Sequence, residues 1–250
     1  MNLTGNTILI TGGGSGIGRG LAEAFHKLGN QVIIAGRRQE LLDETASGNP
    51  GMKAVVLNIE DPASIAEAVE KLTNHFPALN VVVNNAGIMR PEDVKEGAVA
   101  DAEAMVTTNL LGPIRLTAAL LPYLLEQASA AIVNVSSGLA FVPLALTPTY
   151  CATKAAIHSY SQSLRYQLKD TTVEVIELVP PWVATELMGS TPEDPRAMPL
   201  EQFIAETMGL FASRGDEICV PNVLPLRNVA KGEEAAFFKN FNDAMSQRPH

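Results

Sequence analysis

The chain has 250 residues, of which 46% are hydrophobic and 18% are charged, a composition typical of a globular protein with a sizeable core. Its net charge of −9 and its lack of a basic cluster argue against a nucleic-acid partner. Two cysteines are too few for a disulfide framework or a four-cysteine zinc site, so we expect a reducing, cytoplasmic location. The four dispersed histidines show no metal-ligand spacing, and we predict no metal.

A long uncharged stretch, residues 127–153, raises the question of a membrane span. Polar and helix-breaking residues interrupt this stretch, among them Asn134, Ser137, Pro143 and Pro148. The first residues, MNLTGNTILITGGG, lack the basic start and the long apolar run of a signal peptide. We therefore expect neither a membrane-spanning segment nor a membrane partner.

Six apolar runs predict strands, and most are near-continuous in valine, isoleucine and leucine, which is typical of strands buried on both faces. The runs are Thr7–Thr11, 31–35, 53–57, 80–83, 131–135 and Val173–Val179. Helical patterns lie between and after them, at residues 16–28, Pro62–His75, 102–127, 149–168 and 233–245. We expect Pro113 to break or kink the longest helix. The alternation predicts an α/β fold: a single Rossmann-like domain over residues 1–250, with a doubly wound parallel sheet of about seven strands.

A glycine-rich turn, TGGGSGIGRG at residues 11–20, follows the first strand and opens the first helix. Glycines here allow a tight turn and a close approach of the backbone to a pyrophosphate, and the helix N-terminus supplies free N–H groups for the anion. The alternative is a plain flexible loop. The strand–turn–helix context favours a dinucleotide site. The expected contacts are Gly12, Gly14, Ser15, Gly16, Ile17 and Gly18.

The spacing T-G-x-x-x-G-x-G resembles that of the short-chain dehydrogenase/reductase superfamily, whose single-domain form has about the length of this chain. Further motifs resemble those of the family in order and spacing over nearly the whole chain. The resemblance implies a nicotinamide cofactor and the oxidation or reduction of a small molecule.

The end of the second strand bears on the choice of cofactor. An acidic residue there would bind the ribose 2′-hydroxyl of NAD, but Gly36 takes that position. Arg37 and Arg38 follow, and their guanidinium groups suit a phosphate. A solvated basic pair is the alternative. We predict NADP(H) as the favoured cofactor, while NAD(H) stays possible.

Two further motifs follow the third and fourth strands. Asn58 stands where the family usually has an aspartate on the adenine amino group, and Ile59 is its neighbour. The segment after the fourth strand matches the family's N-N-A-G motif, which implies cofactor contacts from Asn85, Ala86 and Gly87. We expect Asn84, the first residue of this motif, to brace the sheet.

The candidate catalytic group centres on Tyr150 and Lys154, which are four residues apart and share one helix face. A lysine cation, together with the positive nicotinamide ring of an oxidised cofactor, favours the tyrosinate, so we expect the pKa of Tyr150 to lie below its ordinary value of about 10. Ser137, 13 residues before Tyr150, has the family's spacing for the serine that holds the substrate oxygen, and Ser136 is the alternative. The resemblance adds Asn109, which would support a water relay to Lys154, unless it is only a satisfied polar residue in a helix.

The segment after the sixth strand reads Pro180-Pro181-Trp182-Val183-Ala184-Thr185, where the family commonly has Pro-Gly followed by Val-x-Thr. The resemblance implies cofactor contacts from Pro180, Val183 and Thr185. The double proline resembles a branch grouped with oxidoreductases of the lipoteichoic-acid D-alanylation operon. Trp182 either lines the substrate mouth or packs in the interior.

These motifs together predict an oxidoreductase that interconverts a hydrophobic ketone and an alcohol, with Tyr150 as general acid/base. Alternatives are an epimerase or dehydratase of the same fold and a non-catalytic dinucleotide-binding regulator. We expect a substrate-covering segment around residues 186–213, including a proline-rich loop at 189–199. The expected pocket residues are Leu139, Phe141, Pro181, Trp182 and the range 187–203. The resemblance also implies a homotetramer or homodimer that uses the two long helices.

Overall fold

The computed structural model describes residues 1–188, 194–213 and 215–246. Its core is one sheet of seven parallel strands in the order β3-β2-β1-β4-β5-β6-β7. The strands are β1 Thr7–Thr11, β2 Gln31–Gly36, β3 Lys53–Val56, β4 Leu79–Asn84, β5 Ala130–Val135, β6 Val173–Val179 and β7 Glu217–Cys219. This confirms the predicted Rossmann-like sheet. The position of β7 was not predicted, because three residues are too few to show a periodicity.

Helices cover both faces of the sheet, as the near-continuous apolar strands require. They are α1 Gly16–Lys27, α2 Gln39–Ser47, α3 Pro62–His75, α4 Ala100–Val106, α5 Gly112–Leu125, α6 Pro148–Leu168, α7 Leu200–Phe211, α8 Leu224–Arg227 and α9 Glu234–Ser246. One face packs on α1 and α7, and the other packs on α3, α5 and α6. The predicted helix 16–28 ends one residue earlier, α3 has the predicted bounds, and α2 was not assigned from the sequence.

The predicted helix 102–127 is interrupted, although the interruption begins before Pro113. A π-helical turn, Thr107–Leu111, separates α4 from α5, and Pro113 lies in the first turn of α5. A proline is tolerated there, because the first N–H groups of a helix have no acceptor within it. The run Ala100–Leu125 is long and apolar enough to cross a membrane, but 44% of that window is buried inside the protein. Its buried face, with Leu116 and Leu120, belongs to the core.

The region predicted as a substrate cover divides into two parts. Its first part, the 3₁₀ turn Glu186–Met188 and residues 194–196, lies along the cavity described below, and residues 189–193 of the predicted loop lie outside the described residues. Its second part is α7, whose first residue, Leu200, lines the cavity while its apolar face packs in the core. Phe203 and Phe211 are buried in the core, and the Phe211 ring packs at 5.7 Å on Phe25 of α1. Phe203, which was expected to line the pocket, therefore closes the sheet instead, and the extent of the cover to residue 213 stays a prediction.

Candidate active site

The candidate site is a cavity of about 2040 Å³ along the carboxyl ends of the strands. It runs from the glycine-rich turn after β1, past the ends of β4, β5 and β6, to the C-terminal helix α9. Most residues predicted for the site line this cavity: Gly12, Gly14, Ser15, Gly16, Ile17, Arg37, Arg38, Ile59, Asn85, Ala86, Gly87, Ser137, Tyr150, Lys154, Pro180, Val183 and Thr185. The other three, Gly18, Asn58 and Asn109, lie around it and are placed below.

The glycine-rich turn is held by side chains that bond its backbone. The Thr11 hydroxyl accepts hydrogen bonds from the backbone N–H groups of Asn85 and Ala86, each at 3.0 Å, and the Asn85 amide donates to the Thr11 carbonyl at 2.9 Å. Gly18 lies behind the turn, where a Cβ atom would meet the carbonyl oxygen of Gly12 at 2.3 Å. Gly18 therefore serves the packing of α1 against the turn, and its contact with a cofactor stays a prediction.

The two arginines after β2 differ in their partners. The Arg37 guanidinium pairs with the Glu60 carboxylate at 2.9 Å. The Arg38 guanidinium donates to the Ser15 hydroxyl of the glycine-rich turn at 3.2 Å. Arg38 therefore joins the end of β2 to the turn after β1, and its cation faces the cavity beside the free N–H groups of the first turn of α1, which holds no acidic residue.

Asn58 is held by a local bond. Its side-chain oxygen accepts the backbone N–H of Glu60 at 3.2 Å, so the carboxamide closes its own turn after β3, a bond typical of asparagine. The apolar neighbours Leu57 and Ile59 line the cavity at this point. The contact of Asn58 with the adenine stays a prediction.

The predicted catalytic serine and tyrosine meet at the end of β5. The Ser137 hydroxyl is close enough to the Tyr150 hydroxyl to lower its pKa, and it accepts the backbone N–H of Leu139 at 3.1 Å. Both side chains are buried and both line the cavity. Burial raises the pKa of Tyr150 in the cofactor-free chain, and the nearby Ser137 hydroxyl only partly offsets that effect. The expected fall in this pKa requires the positive nicotinamide ring as well as Lys154, so it stays a prediction for the protein with bound cofactor.

Lys154 lies one helical turn after Tyr150, and its ammonium is 5.6 Å from the centre of the tyrosine ring. The ammonium donates to the Val135 carbonyl at the end of β5 at 2.8 Å, which fixes its position in the cavity wall. Burial lowers the pKa of Lys154 to about 8, while the carboxylate of Glu177 acts in the opposite direction. The lysine is thus a buried cation whose charge is poised close to physiological pH.

Asn109 lies in the π-helical turn, as a residue that disturbs the helix, but its bonds are structural. Its side chain accepts the backbone N–H of Ile88 and donates to the Ile88 carbonyl, each at 2.8 Å, and it donates to the Thr153 hydroxyl at 3.3 Å. Asn109 therefore ties the segment after β4 to α6, next to Lys154. Its role in a water relay stays a prediction.

Ser136 and Ser137 face opposite sides of the sheet, as neighbours on a strand do. Ser137 faces Tyr150, while the Ser136 hydroxyl donates to the buried carboxylate of Glu177 on β6. The geometry thus favours Ser137 over Ser136 as the serine of the site. Asn84 braces the sheet from the same side as Ser136, donating to Asn134 at 2.8 Å and to Thr117 at 3.1 Å.

The segment after β6 forms the far side of the cavity. Val183 bridges to Met198, and a Cβ atom on Gly16 would lie 3.5 Å from the Thr185 methyl group, so this segment closes over the glycine-rich turn. Trp182 lines the cavity, and the Arg196 guanidinium lies 5.1 Å from the centre of its ring. Both Leu139 and Pro181 line the cavity as predicted, whereas the Phe141 ring packs at 4.8 Å on His158.

Two contributions to the site were not predicted from the sequence. Helix α9 supplies Phe241 and Met245, which pack with Met89, Met188 and Leu144 beside Tyr150. Asn242 fixes this helix, accepting the backbone N–H of Ala145 at 2.6 Å and donating to the Pro143 carbonyl at 3.0 Å. The helical pattern of α9 was visible, but nothing in it indicated which surface it covers.

Glu92 is the second contribution to the site that was not predicted. Its carboxylate accepts the backbone N–H of Thr149 at 2.9 Å and the Thr149 hydroxyl at 2.7 Å, at the first turn of α6. An anion is favourable at a helix N-terminus, and this bond anchors the turn that carries Tyr150.

Comparisons with known proteins agree with this arrangement. The sequence profile of the family described as short chain dehydrogenase matches residues 6–196. The chain is 39% identical to the uncharacterized oxidoreductase DltE of Bacillus subtilis over 249 residues, which cover 97% of this chain and 98% of the relative.

Solved structures of dehydrogenases and reductases match the fold of this chain. A short chain dehydrogenase from Burkholderia cenocepacia in complex with NADP matches with a TM-score of 0.82 at 25% identity, over 100% of both chains. The NADPH-bound carbonyl reductase from chicken fatty liver matches with a TM-score of 0.76 at 28% identity, over 84% of this chain and 92% of that one.

Proposed function

Because the chain belongs to the short chain dehydrogenase family and is an oxidoreductase, we propose that it interconverts a hydrophobic ketone and its secondary alcohol with NADP(H). The observation that carries the proposal is the grouping of Ser137, Tyr150 and Lys154 on one wall of the cavity, next to the glycine-rich turn. An epimerase, a dehydratase or a non-catalytic regulator would leave the cofactor without net turnover, which the test below distinguishes.

The residues present fit a nicotinamide dinucleotide. The glycine-rich turn offers backbone N–H groups and the positive end of α1 for a pyrophosphate, and its backbone has no room for larger side chains at Gly12 and Gly18. Asn85, Ala86 and Gly87 would hold the next part of the ligand, and Lys154 with Tyr150 the ribose beside the reaction centre. A bound nicotinamide supplies or accepts the hydride.

The proposed proton chemistry rests on Tyr150. Its raised pKa keeps the hydroxyl protonated, so in the direction of reduction it gives its proton to the oxygen of the substrate carbonyl. Ser137 holds the same oxygen by a second hydrogen bond and stabilises the negative charge that develops on it. The Lys154 ammonium then stabilises the tyrosinate that remains.

The preference for the phosphorylated cofactor rests on Arg38. The cation stands beside the Ser15 hydroxyl at the mouth of the cavity, and Gly36 leaves no acidic side chain at the end of β2 to repel a 2′-phosphate. Arg37 is already paired with Glu60 and is expected to contribute less.

The preference for a hydrophobic substrate rests on the apolar wall beside Tyr150. Three methionines and a phenylalanine, contributed by three segments of the chain, pack next to Tyr150, and methionines adapt to ligands of varied shape. They are Met89, Met188, Met245 and Phe241.

The proposal is tested by following the oxidation of NADPH and of NADH with a panel of apolar and carboxylated ketones. We expect turnover with apolar ketones, with NADPH preferred to NADH. Tight cofactor binding without turnover on any ketone would contradict the proposal and favour a regulator. Conversion of a substrate without net oxidation of the cofactor would favour an epimerase or a dehydratase.

A further inference from the structure

A fully buried carboxylate, that of Glu177 on β6, lies beneath the candidate site and has no part in the chemistry proposed above. It is on the face of the sheet that packs on α6, in register with Asn134 of β5. A buried charge is costly unless bonded and paired, so its position in the chain requires a reason.

Both oxygens of the Glu177 carboxylate have hydrogen-bond partners. Ser136 donates to one oxygen, and the Nδ1 atom of His158 lies 2.8 Å from the other. His158 is four residues after Lys154 and eight after Tyr150, so these side chains form one stripe along α6. The stripe runs from the reacting hydroxyl to the edge of the protein, where the His158 ring contacts Gln162.

Lys154 on this stripe and Glu177 on the neighbouring strand β6 carry opposite charges. Glu177 acts on Lys154 to favour its charged form, against the effect of burial. The Lys154 ammonium donates to the carbonyl of Val135, the residue that directly precedes Ser136 in the chain. Backbone and side chains thus link the lysine, the serine and the carboxylate within one corner of the sheet.

These side chains could instead bind a metal ion, since His158, Glu177 and Glu217 each bring a ligand atom within 4.8 Å of one another. Their existing hydrogen bonds and ion pairs argue against a metal site. Arg227 pairs with Glu217 through two nitrogens, at 2.8 Å and 3.1 Å, and the Glu177 oxygens are already bonded. A metal would have to displace a bidentate ion pair.

We propose that Glu177 is a positioning residue that supplies the buried counter-charge of Lys154, held in place by Ser136 and His158. The benefit to catalysis rests on the function proposed above, because it is Lys154 that supports Tyr150. The counter-charge itself is independent of the reaction. The titratable groups that face this pair are Tyr150 and His158 on α6, Glu217 and Cys219 on β7, and Arg227 on α8.

The direct test is the titration of Lys154 in the cofactor-free protein, followed by NMR of ¹³Cε-labelled lysine and assigned through the loss of its signal in Lys154→Met. In Glu177→Gln, which keeps the shape of the side chain, we expect the midpoint of Lys154 to fall by about one pH unit. Glu174→Gln is the matched control, because Glu174 lies on the same strand with its carboxylate exposed, and the midpoint should stay in place.

A second variant keeps the test possible if Glu177→Gln does not fold. Ser136→Ala combined with His158→Phe removes both side chains that hold the Glu177 carboxylate in place, so the Lys154 midpoint is expected to fall in the same way. An unchanged midpoint in whichever variant folds would overturn the proposal, whatever the assays of activity give. A lower midpoint in a protein that reduces no ketone would refute the proposed function and leave the counter-charge assigned.

The catalytic consequence is a shift of the pH profile. The ammonium is present below its pKa and lost above it, so a lower pKa removes it at lower pH. In Glu177→Gln the alkaline limb of kcat for ketone reduction should therefore move to lower pH by the same amount as the NMR midpoint. A limb that stays in place while the midpoint falls would overturn the positioning role.

Discussion

The two ends of the cavity are built in different ways. At the cofactor end, short motifs after successive strands meet because parallel strands end at one edge of the sheet, and bonds such as that of Thr11 with Asn85 lock them. At the substrate end, the wall comes from segments far apart in the chain, as in the contact of Asn242 with Ala145, 97 residues away. Each motif of the cofactor end can thus be read from a short stretch of sequence even though the motifs meet over long distances in the chain, whereas the wall at the other end shows no such motif and depends on tertiary packing.

The largest expected effect is at the junction of the two ends. Tyr150→Phe removes the proton donor and keeps the ring, so kcat for ketone reduction should fall by about 10³-fold. The Kd for NADPH, measured by fluorescence titration, should change little. Retention of most of the activity would mean that another group protonates the substrate.

Two glycine substitutions test how closely α1 packs on the glycine-rich turn. In Gly18→Ala the new Cβ atom would meet the Gly12 carbonyl, and we expect a loss of about 2 to 3 kcal/mol in the free energy of unfolding. Gly209→Ala in α7 is the control, because no atom lies within 4 Å of its Cβ position and alanine is the better helix former. Urea denaturation measures both, and equal stabilities would contradict the close packing of α1 on the turn.

Substitution of the two arginines after β2 tests which of them binds the phosphate at the cofactor end. Arg38→Ala should raise the Kd for NADPH by about tenfold and leave that for NADH nearly unchanged, because the lost contact is with a phosphate. Arg37→Ala should have a smaller effect, since Arg37 is paired with Glu60. Calorimetry with both cofactors checks this, and an equal loss for NADH would indicate that Arg38 supports the fold of the turn.

The smallest expected effect is at the substrate end. Phe241→Ala removes part of the apolar wall, and kcat/KM for a bulky apolar ketone should fall by about fivefold, or about 1 kcal/mol. Phe238→Ala, one turn earlier on the exposed side of α9, should leave it unchanged. Equal kinetics for the two variants would place the substrate away from α9.

The same difference between the ends decides what the sequence can predict. The strands and the Tyr150–Lys154 pair follow from periodicity and from a motif that spans one helical turn. Phe203 was misplaced, because its packing in the core decided its direction, and the local bond of Asn58 was not foreseen. The Glu177 pair with His158 and the docking of α9 were not foreseen, since both depend on contacts between elements that only the folded chain brings together.

The most direct test of the central claim is the fate of the hydride. An apolar ketone is incubated with the protein and with NADPH that carries deuterium at both C4 positions, and the alcohol is analysed by mass spectrometry. We predict an alcohol with one deuterium on the carbinol carbon, formed by the wild-type protein and not by Tyr150→Phe. An alcohol without deuterium on the carbinol carbon would contradict the account. The same holds if no ketone of the panel is converted to an alcohol.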